Sequence, residues 1–294
     1  MPTLPPLGRG VLLAVALSLI GILLGCSSPA GTPPATAPGV PLSAAPDQPP
    51  ATATTGAASA PPAPVAPAAS GDATPTLTPL APLADLRVVL DPGHNAGNGA
   101  AAATIARPVA DGRGGTKACN TTGTATRDGY PEHAFTYDVA DRTRALLEAE
   151  GATVILTRGP TGVGPCVDVR GRSPQVNDAD VMVSIHANGS ESSAPHGFFA
   201  IVVATPLNDA QGAPSRALAA DLVAALEASG FSPSAGGALQ RRDDLGTLNH
   251  ATRPAVLLEL AEFRNPAEAR AVQDPAVRQR YAEAVAAGIT AWAR

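Results

Sequence analysis

Two histidines are placed to do chemistry. His94 closes the run Val88-Val89-Leu90-Asp91-Pro92-Gly93-His94, and His186 closes Val181-Met182-Val183-Ser184-Ile185-His186. In an open parallel α/β sheet, functional groups gather at the carboxyl ends of the strands, so imidazoles far apart in sequence can converge there. A third run, Ala255-Val256-Leu257-Leu258-Glu259, ends on a carboxylate, and Glu132 opens a long amphipathic segment. Imidazole nitrogen and carboxylate oxygen are good zinc donors, and catalytic zinc sites take three protein ligands and leave the fourth position to water. His94, Glu132 and His186 supply that set, with Glu259 as a spare carboxylate. No short signature such as His-Glu-x-x-His is present, so the alternative stands that each histidine is a hydrogen-bonded residue at a strand end.

The elements that must position these groups are readable from periodicity. Strands are expected at Arg87–Leu90, Thr153–Thr157, Val181–Ile185, Gly197–Val203 and Ala255–Leu260. From Glu132 to Glu150 the residues Phe135, Val139, Leu146 and Leu147 share one side at helical spacing, and Gly151 stops the helix. Ser215 to Ser229 repeats the plan, and Pro275 starts a last helix through Tyr281, Val285 and Ile289 toward Trp292. This alternation predicts an α/β fold: one domain with a mainly parallel twisted sheet flanked by helices. The segments Asn95 to Gly129 and Pro160 to Asp180 do not fit it and read as long loops over the sheet edge, where substrate grooves form.

The first third of the 294-residue chain lacks the makings of a core: no Phe, Tyr or Trp precedes Tyr130. Residues 26–85 are mostly Ala, Pro, Thr, Ser and Gly, which cannot bury enough apolar area to offset their ordering entropy, and are expected to be a disordered linker. It would reach roughly 40 Å as a coil and roughly 180 Å in polyproline II. Ahead of it, Arg9 followed by the apolar run Val11 to Leu24 reads as an export signal over residues 1–25. Leu23-Leu24-Gly25-Cys26 resembles a bacterial lipobox, which implies a lipid anchor at Cys26; a secreted protein with an incidental cysteine, or an uncleaved anchor, is the alternative. The folded domain would then occupy residues 86–294 and work outside the cytoplasm, tethered to the cell membrane. In such a compartment Cys119 and Cys166 are expected to form a disulfide, the alternative being two buried thiols. The net charge is −5 and no basic cluster with interleaved aromatics occurs, which argues against nucleic acid as a partner.

The motifs Val89-Leu90-Asp91-Pro92-Gly93-His94, the Glu132 helix start, Val154-Ile155-Leu156-Thr157-Arg158, Arg170 followed by Asn177, Ser184-Ile185-His186-Ala187-Asn188 and Pro254-Ala255-Val256-Leu257-Leu258-Glu259-Leu260 occur in the order found in one family. They resemble the zinc-dependent N-acetylmuramoyl-L-alanine amidases of the Amidase_3 type, and residues 112–117 with Cys119 are similar to a secreted single-domain subgroup. The resemblance implies Zn2+ held by His94, Glu132 and His186, with Glu259 catalytic. It implies hydrolysis of the amide between N-acetylmuramic acid and L-alanine in peptidoglycan or muropeptides, by a monomeric enzyme.

Two departures matter. The family's Glu-Leu-Gly-Phe becomes Glu259-Leu260-Ala261-Glu262-Phe263, which makes Glu262 a rival to Glu259. In a regular strand Glu259 and Ala261 share one face and Glu262 takes the other, so Glu259 is the one expected to face the metal. The family's Asp-Pro-Gly-His-Gly ends here in Asn95. His133 should point about 100° away from Glu132 and lie at a rim, His196 should be solvated and His250 should sit at the rim. Asp91 is expected to brace the turn that presents His94, by capping that turn or by a direct bond behind the ligand. Two other functions fit the same residues less well: a zinc carboxypeptidase or endopeptidase on the stem peptide, and a non-catalytic peptidoglycan-binding lipoprotein, which would have no need of all four groups.

Overall fold

The β-branched runs do form strands. A computed structural model describes residues 82–294; the expected signal peptide, the lipid anchor at Cys26 and the linker up to residue 81 lie outside the described residues. In chain order the elements are β1 (Arg87–Pro92), α1 (Ala102–Ala106), β2 (Pro108–Ala110), β3 (Thr116–Ala118), α2 (Glu132–Ala149), β4 (Thr153–Leu156), α3 (Val167–Val176), β5 (Val181–Asn188), β6 (Phe199–Val203), α4 (Ala213–Ala228), β7 (Leu239–Arg242), α5 (Gly246–Asn249), β8 (Ala255–Glu262), α6 (Pro266–Ala271) and α7 (Pro275–Trp292).

Six strands form one sheet in the order β4-β1-β5-β8-β6-β7, and every neighbouring pair is parallel except β6 with β8. The fold is the expected mainly parallel sheet flanked by helices. From β1 the chain passes through α2 to β4 on one side and then through α3 to β5 on the other, so the strand order reverses between β1 and β5. Open α/β sheets form their crevice at such a reversal. His94 follows the end of β1 there and His186 lies near the end of β5.

Alternation along the strands divides the core into two layers. Val88, Leu90, Val183, Val256 and Leu258 face one side with Phe135, Leu222, Val285 and Ile289 from α2, α4 and α7. Val89, Met182, Ile201 and Leu257 face the other, with Leu248 of α5. The buried stripe of α2 runs Glu132, Phe135, Thr136, Val139, Ala140, Thr143, Leu147, so the face that packs the helix also carries Glu132 inward at its first turn. Leu83 is already part of the core and donates its amide to the Glu150 carbonyl at 3.0 Å.

The strand β8 is not regular. His186 pairs with Glu259, but Asn188 pairs with Glu262, so β8 holds one residue more than β5 over the same stretch. This bulge turns both Leu260 and Ala261 into the helix-covered core layer. Glu262 therefore returns to the side of the sheet that carries Glu259, contrary to the simple alternation expected from sequence.

Cys119 and Cys166 form a disulfide, as expected, across a sequence separation of 47. The two long segments it joins are less loop-like than expected. The first holds α1 and the β2–β3 hairpin; the second holds α3, which packs on α5 and β1. Neither α3 nor β7 was readable: α3 buries Arg170, Gly171 and Pro174 rather than an apolar stripe, and β7 reads Leu239-Gln240-Arg241-Arg242. Among the described residues no helix is long and apolar enough to cross a membrane.

Candidate metal centre and active site

β1 ends at Pro92, Gly93 makes the exit and His94 follows with φ 58°, a left-handed conformation costly for a residue with a Cβ. Two buried arginines hold the turn in place. Arg170 donates to the carbonyls of Pro92 (2.8 Å) and His94 (2.7 Å) and to the Asn95 side chain. Arg158 donates to the carbonyls of Pro92 (2.9 Å), Gly93 (3.0 Å) and His133 (2.8 Å). Asp91 balances Arg170 at 2.6 Å and also accepts from Ser184 at 2.7 Å and from Thr157. Burial alone would raise the Asp91 pKa; Arg170, Thr157 and Ser184 overcome it and hold the carboxyl below its usual value. Asp91 thus braces the turn, as expected, through Arg170.

Three ligand atoms meet at this point. One each from His94, Glu132 and His186 lie within 4.8 Å of one another, and no other such group of His, Cys, Asp or Glu occurs among the described residues. Glu132 spans the pair: one oxygen is 3.2 Å from His94 Nε2, the other 3.2 Å from His186 Nδ1. Backbone amides of Thr124 (2.9 Å) and Ala187 (3.0 Å) donate to the same carboxylate. Burial would raise its pKa, but the hydrogen bonds and charge of the two histidines drive it well below the normal range.

The imidazoles are oriented for binding. His94 Nδ1 lies 3.2 Å from the Thr121 carbonyl, an acceptor that favours a proton on Nδ1, and Nε2 points toward the cluster. Burial lowers the pKa of both rings; for His186 it prevails, while for His94 the Glu132 carboxylate reverses the shift. Space is made by two glycines. A Cβ on Gly93 would overlap the His186 ring, and one on Gly123, at φ +78°, would lie 2.8 Å from the His94 ring and 2.9 Å from Glu132 Oε2.

Glu259 stands beside this cluster, paired across the sheet with His186. Its Oε2 is buried with no hydrogen-bond partner, and burial followed by the nearby Glu132 charge pushes its pKa well above the ordinary carboxylate value. Two recesses open on either side, both lined by His94, His186 and Glu259. One of about 280 Å³ adds Lys117, Val167, Arg242, Leu245 and Leu257. The other, of about 370 Å³, adds Gly123, Thr124, Asn188, Gly189 and Arg264. Glu262 is spent elsewhere: it accepts from the Asn188 side chain and from the Ser190 amide at 3.3 Å.

The remaining histidines lie outside the cluster. His133 is half-buried and its carbonyl serves Arg158, His196 is exposed, and His250 contacts the Ala110 carbonyl at 3.0 Å, which ties α5 to the hairpin. Lys117 entered the sequence reading only within the motif of residues 112–117, and Arg242 did not enter it, since a lone basic residue in a polar strand carries no local signal.

Residues 88–291 match the family described as N-acetylmuramoyl-L-alanine amidase, Amidase_3. The chain is 41% identical over 212 residues to the N-acetylmuramoyl-L-alanine amidase Rv3717 of Mycobacterium tuberculosis, covering 70% of this chain and 86% of that protein. The crystal structure of the amidase Ami1 from Mycobacterium smegmatis is similar with a TM-score of 0.68 and 42% identity, over 71% of this chain and 97% of that one. The apo form of Ami1 from Mycobacterium abscessus gives 0.69 and 40%, over 72% and 100%. With its strands, its His-Glu-His cluster and this extent of likeness, the chain belongs to the Amidase_3 family of N-acetylmuramoyl-L-alanine amidases.

Proposed function

We propose that the protein is a zinc-dependent peptidoglycan amidase that cleaves the bond between the lactyl group of N-acetylmuramic acid and L-alanine of the stem peptide. The observation that carries this reading is the convergence of His94, Glu132 and His186 at the sheet's reversal point, beside a buried carboxylate with no partner of its own. Two imidazoles and one carboxylate fit Zn2+ and leave room for further ligands. When bound, the ion supplies a Lewis acid that polarises the amide carbonyl and acidifies a water.

The chain's own residues do the rest. Glu259, buried beside the cluster with an oxygen that no other described residue uses, is the proton acceptor for the attacking water and returns that proton to the departing alanine nitrogen. Thr121 and the arginine-held turn keep His94 in its binding tautomer. The bond consumed is the amide C–N; the products are a lactyl carboxylate on the glycan and a free amine on the peptide.

Such a substrate lies outside the cytoplasm. This agrees with an export signal over residues 1–25, a lipid anchor at Cys26 and a linker over residues 26–85 that lets the domain over residues 86–294 work as a monomer away from its membrane. The test is to digest purified muropeptides with the zinc-loaded protein and identify the new ends by mass. Lactyl ends with peptides beginning at L-alanine support the amidase; released D-alanine or split cross-bridges would instead indicate a peptidase.

A further inference from the structure

The two recesses beside Glu259 differ in charge. Lys117, on β3, and Arg242, at the end of β7, both line the one of about 280 Å³. Both converge on Asp244, but differently. Arg242 donates through Nε (2.9 Å) and Nη2 (2.6 Å) to the Asp244 carboxylate, whereas Lys117 Nζ donates to the Asp244 backbone carbonyl at 2.5 Å. Only Arg242 thus bonds the carboxylate, and Lys117 keeps its charge free of a direct ion pair with any described residue. Among the described residues nothing accepts from Arg242 Nη1, and the ammonium of Lys117 keeps two N–H groups unspent. Burial lowers the Lys117 pKa and Arg242 lowers it further, while Asp244 and Asp111 work against both, so the ammonium stands partly dehydrated among charges of both signs. Val167, Leu245 and Leu257 supply apolar wall to the same recess.

The chemistry of the bond assigns the two sides. Once the lactyl carboxyl is tied up in the amide, the glycan side has no ionised group close by, and every nearby carboxylate belongs to the stem peptide. The nearest is the α-carboxyl of the second residue, a γ-linked D-glutamate, which bacteria leave free or convert to the amide. We infer that Lys117 and Arg242 form an anion subsite for that α-carboxylate, placing the stem peptide in the Lys117–Arg242 recess and the glycan on the Asn188–Arg264 side. The inference rests on the amidase reading and adds which peptide stems are preferred.

The experiment uses the full-length protein and two muramyl tripeptides that differ only in whether the D-glutamate α-carboxyl is free or amidated. KM should be lower for the free acid, and raising the salt should erase much of the difference. Arg242→Gln and Lys117→Met should each raise KM for the acid by roughly three- to tenfold with KM for the amidated substrate little changed; kcat should hold in Lys117→Met, whereas in Arg242→Gln it shifts alike for both substrates because Arg242 also acts on the Glu259 charge. Arg242→Lys should recover part of the loss. Equilibrium binding of the free L-alanyl-γ-D-glutamyl peptide, acid against amide, reads the same preference without turnover. A parent protein that binds the acid peptide more tightly, lost in both variants, supports the subsite even if the amide bond is never cut. Equal KM and equal binding for acid and amide, or variants that weaken both substrates alike, overturn it.

Discussion

Each residue near His94 is committed to holding a backbone that would not stay in place unaided. The Asp91–Arg170 pair is fully buried, so its value lies in what it fixes: removing one partner strands the other charge. Arg170→Met should cost about 3–5 kcal/mol of unfolding free energy, read by denaturant titration. Asp91 adds a pH dependence of definite sign. Its folded pKa lies below the ordinary value of 3.8, so its stabilisation is complete above that value and is lost as the pH falls through the folded pKa. Asp91→Asn should therefore flatten the acid limb of the stability curve while lowering its plateau. Glu262 gives a sharper contrast. The bulge brings it to the side of Glu259, but Asn188 and Ser190 use its oxygens, so Glu262→Gln should lower the melting temperature and cut turnover by less than about tenfold. Turnover lost in that variant, with Glu259→Gln still active, would exchange the two roles.

At the level of elements, the sequence was legible where burial is apolar and opaque where it is polar. The runs ending in His94, His186 and Glu259 are strands because apolar residues fill both faces of a covered sheet. The helix α3 escaped notice because it buries an arginine, a glycine and a proline, and the bulge in β8 escaped because no local pattern in Leu260-Ala261-Glu262 announces an extra residue. The disulfide ties the β2–β3 hairpin's flank to the start of α3, whose N-cap residue is Cys166. On the chain-entropy model a closure over 47 residues stabilises by about 4 kcal/mol. Reduction should lower the unfolding midpoint accordingly, and alkylation of the unfolded, unreduced domain should find neither thiol. Two titrating thiols would remove this part of the account.

Across the whole molecule, the sheet reversal between β1 and β5 gathers groups that arrive from β1, α2, β5 and β8. The strand ends suggested that gathering and the family resemblance completed it with Glu132 from a helix start; which recess takes which half of a substrate was not legible, because Lys117 and Arg242 become neighbours only through the hairpin and the far edge of the sheet. For the segment outside the described residues, Cys26→Ala should move the protein from the membrane fraction to the soluble fraction, and unchanged detergent partitioning would reject the lipid anchor. The central claim is that metal holding and proton transfer belong to different residues of one centre. It is tested most directly by measuring zinc content and turnover together in His186→Ala and Glu259→Gln. The account predicts that His186→Ala loses both, while Glu259→Gln keeps its zinc and slows by roughly 10² to 10⁴. Zinc lost from Glu259→Gln, or full turnover in a zinc-free His186→Ala protein, would contradict it.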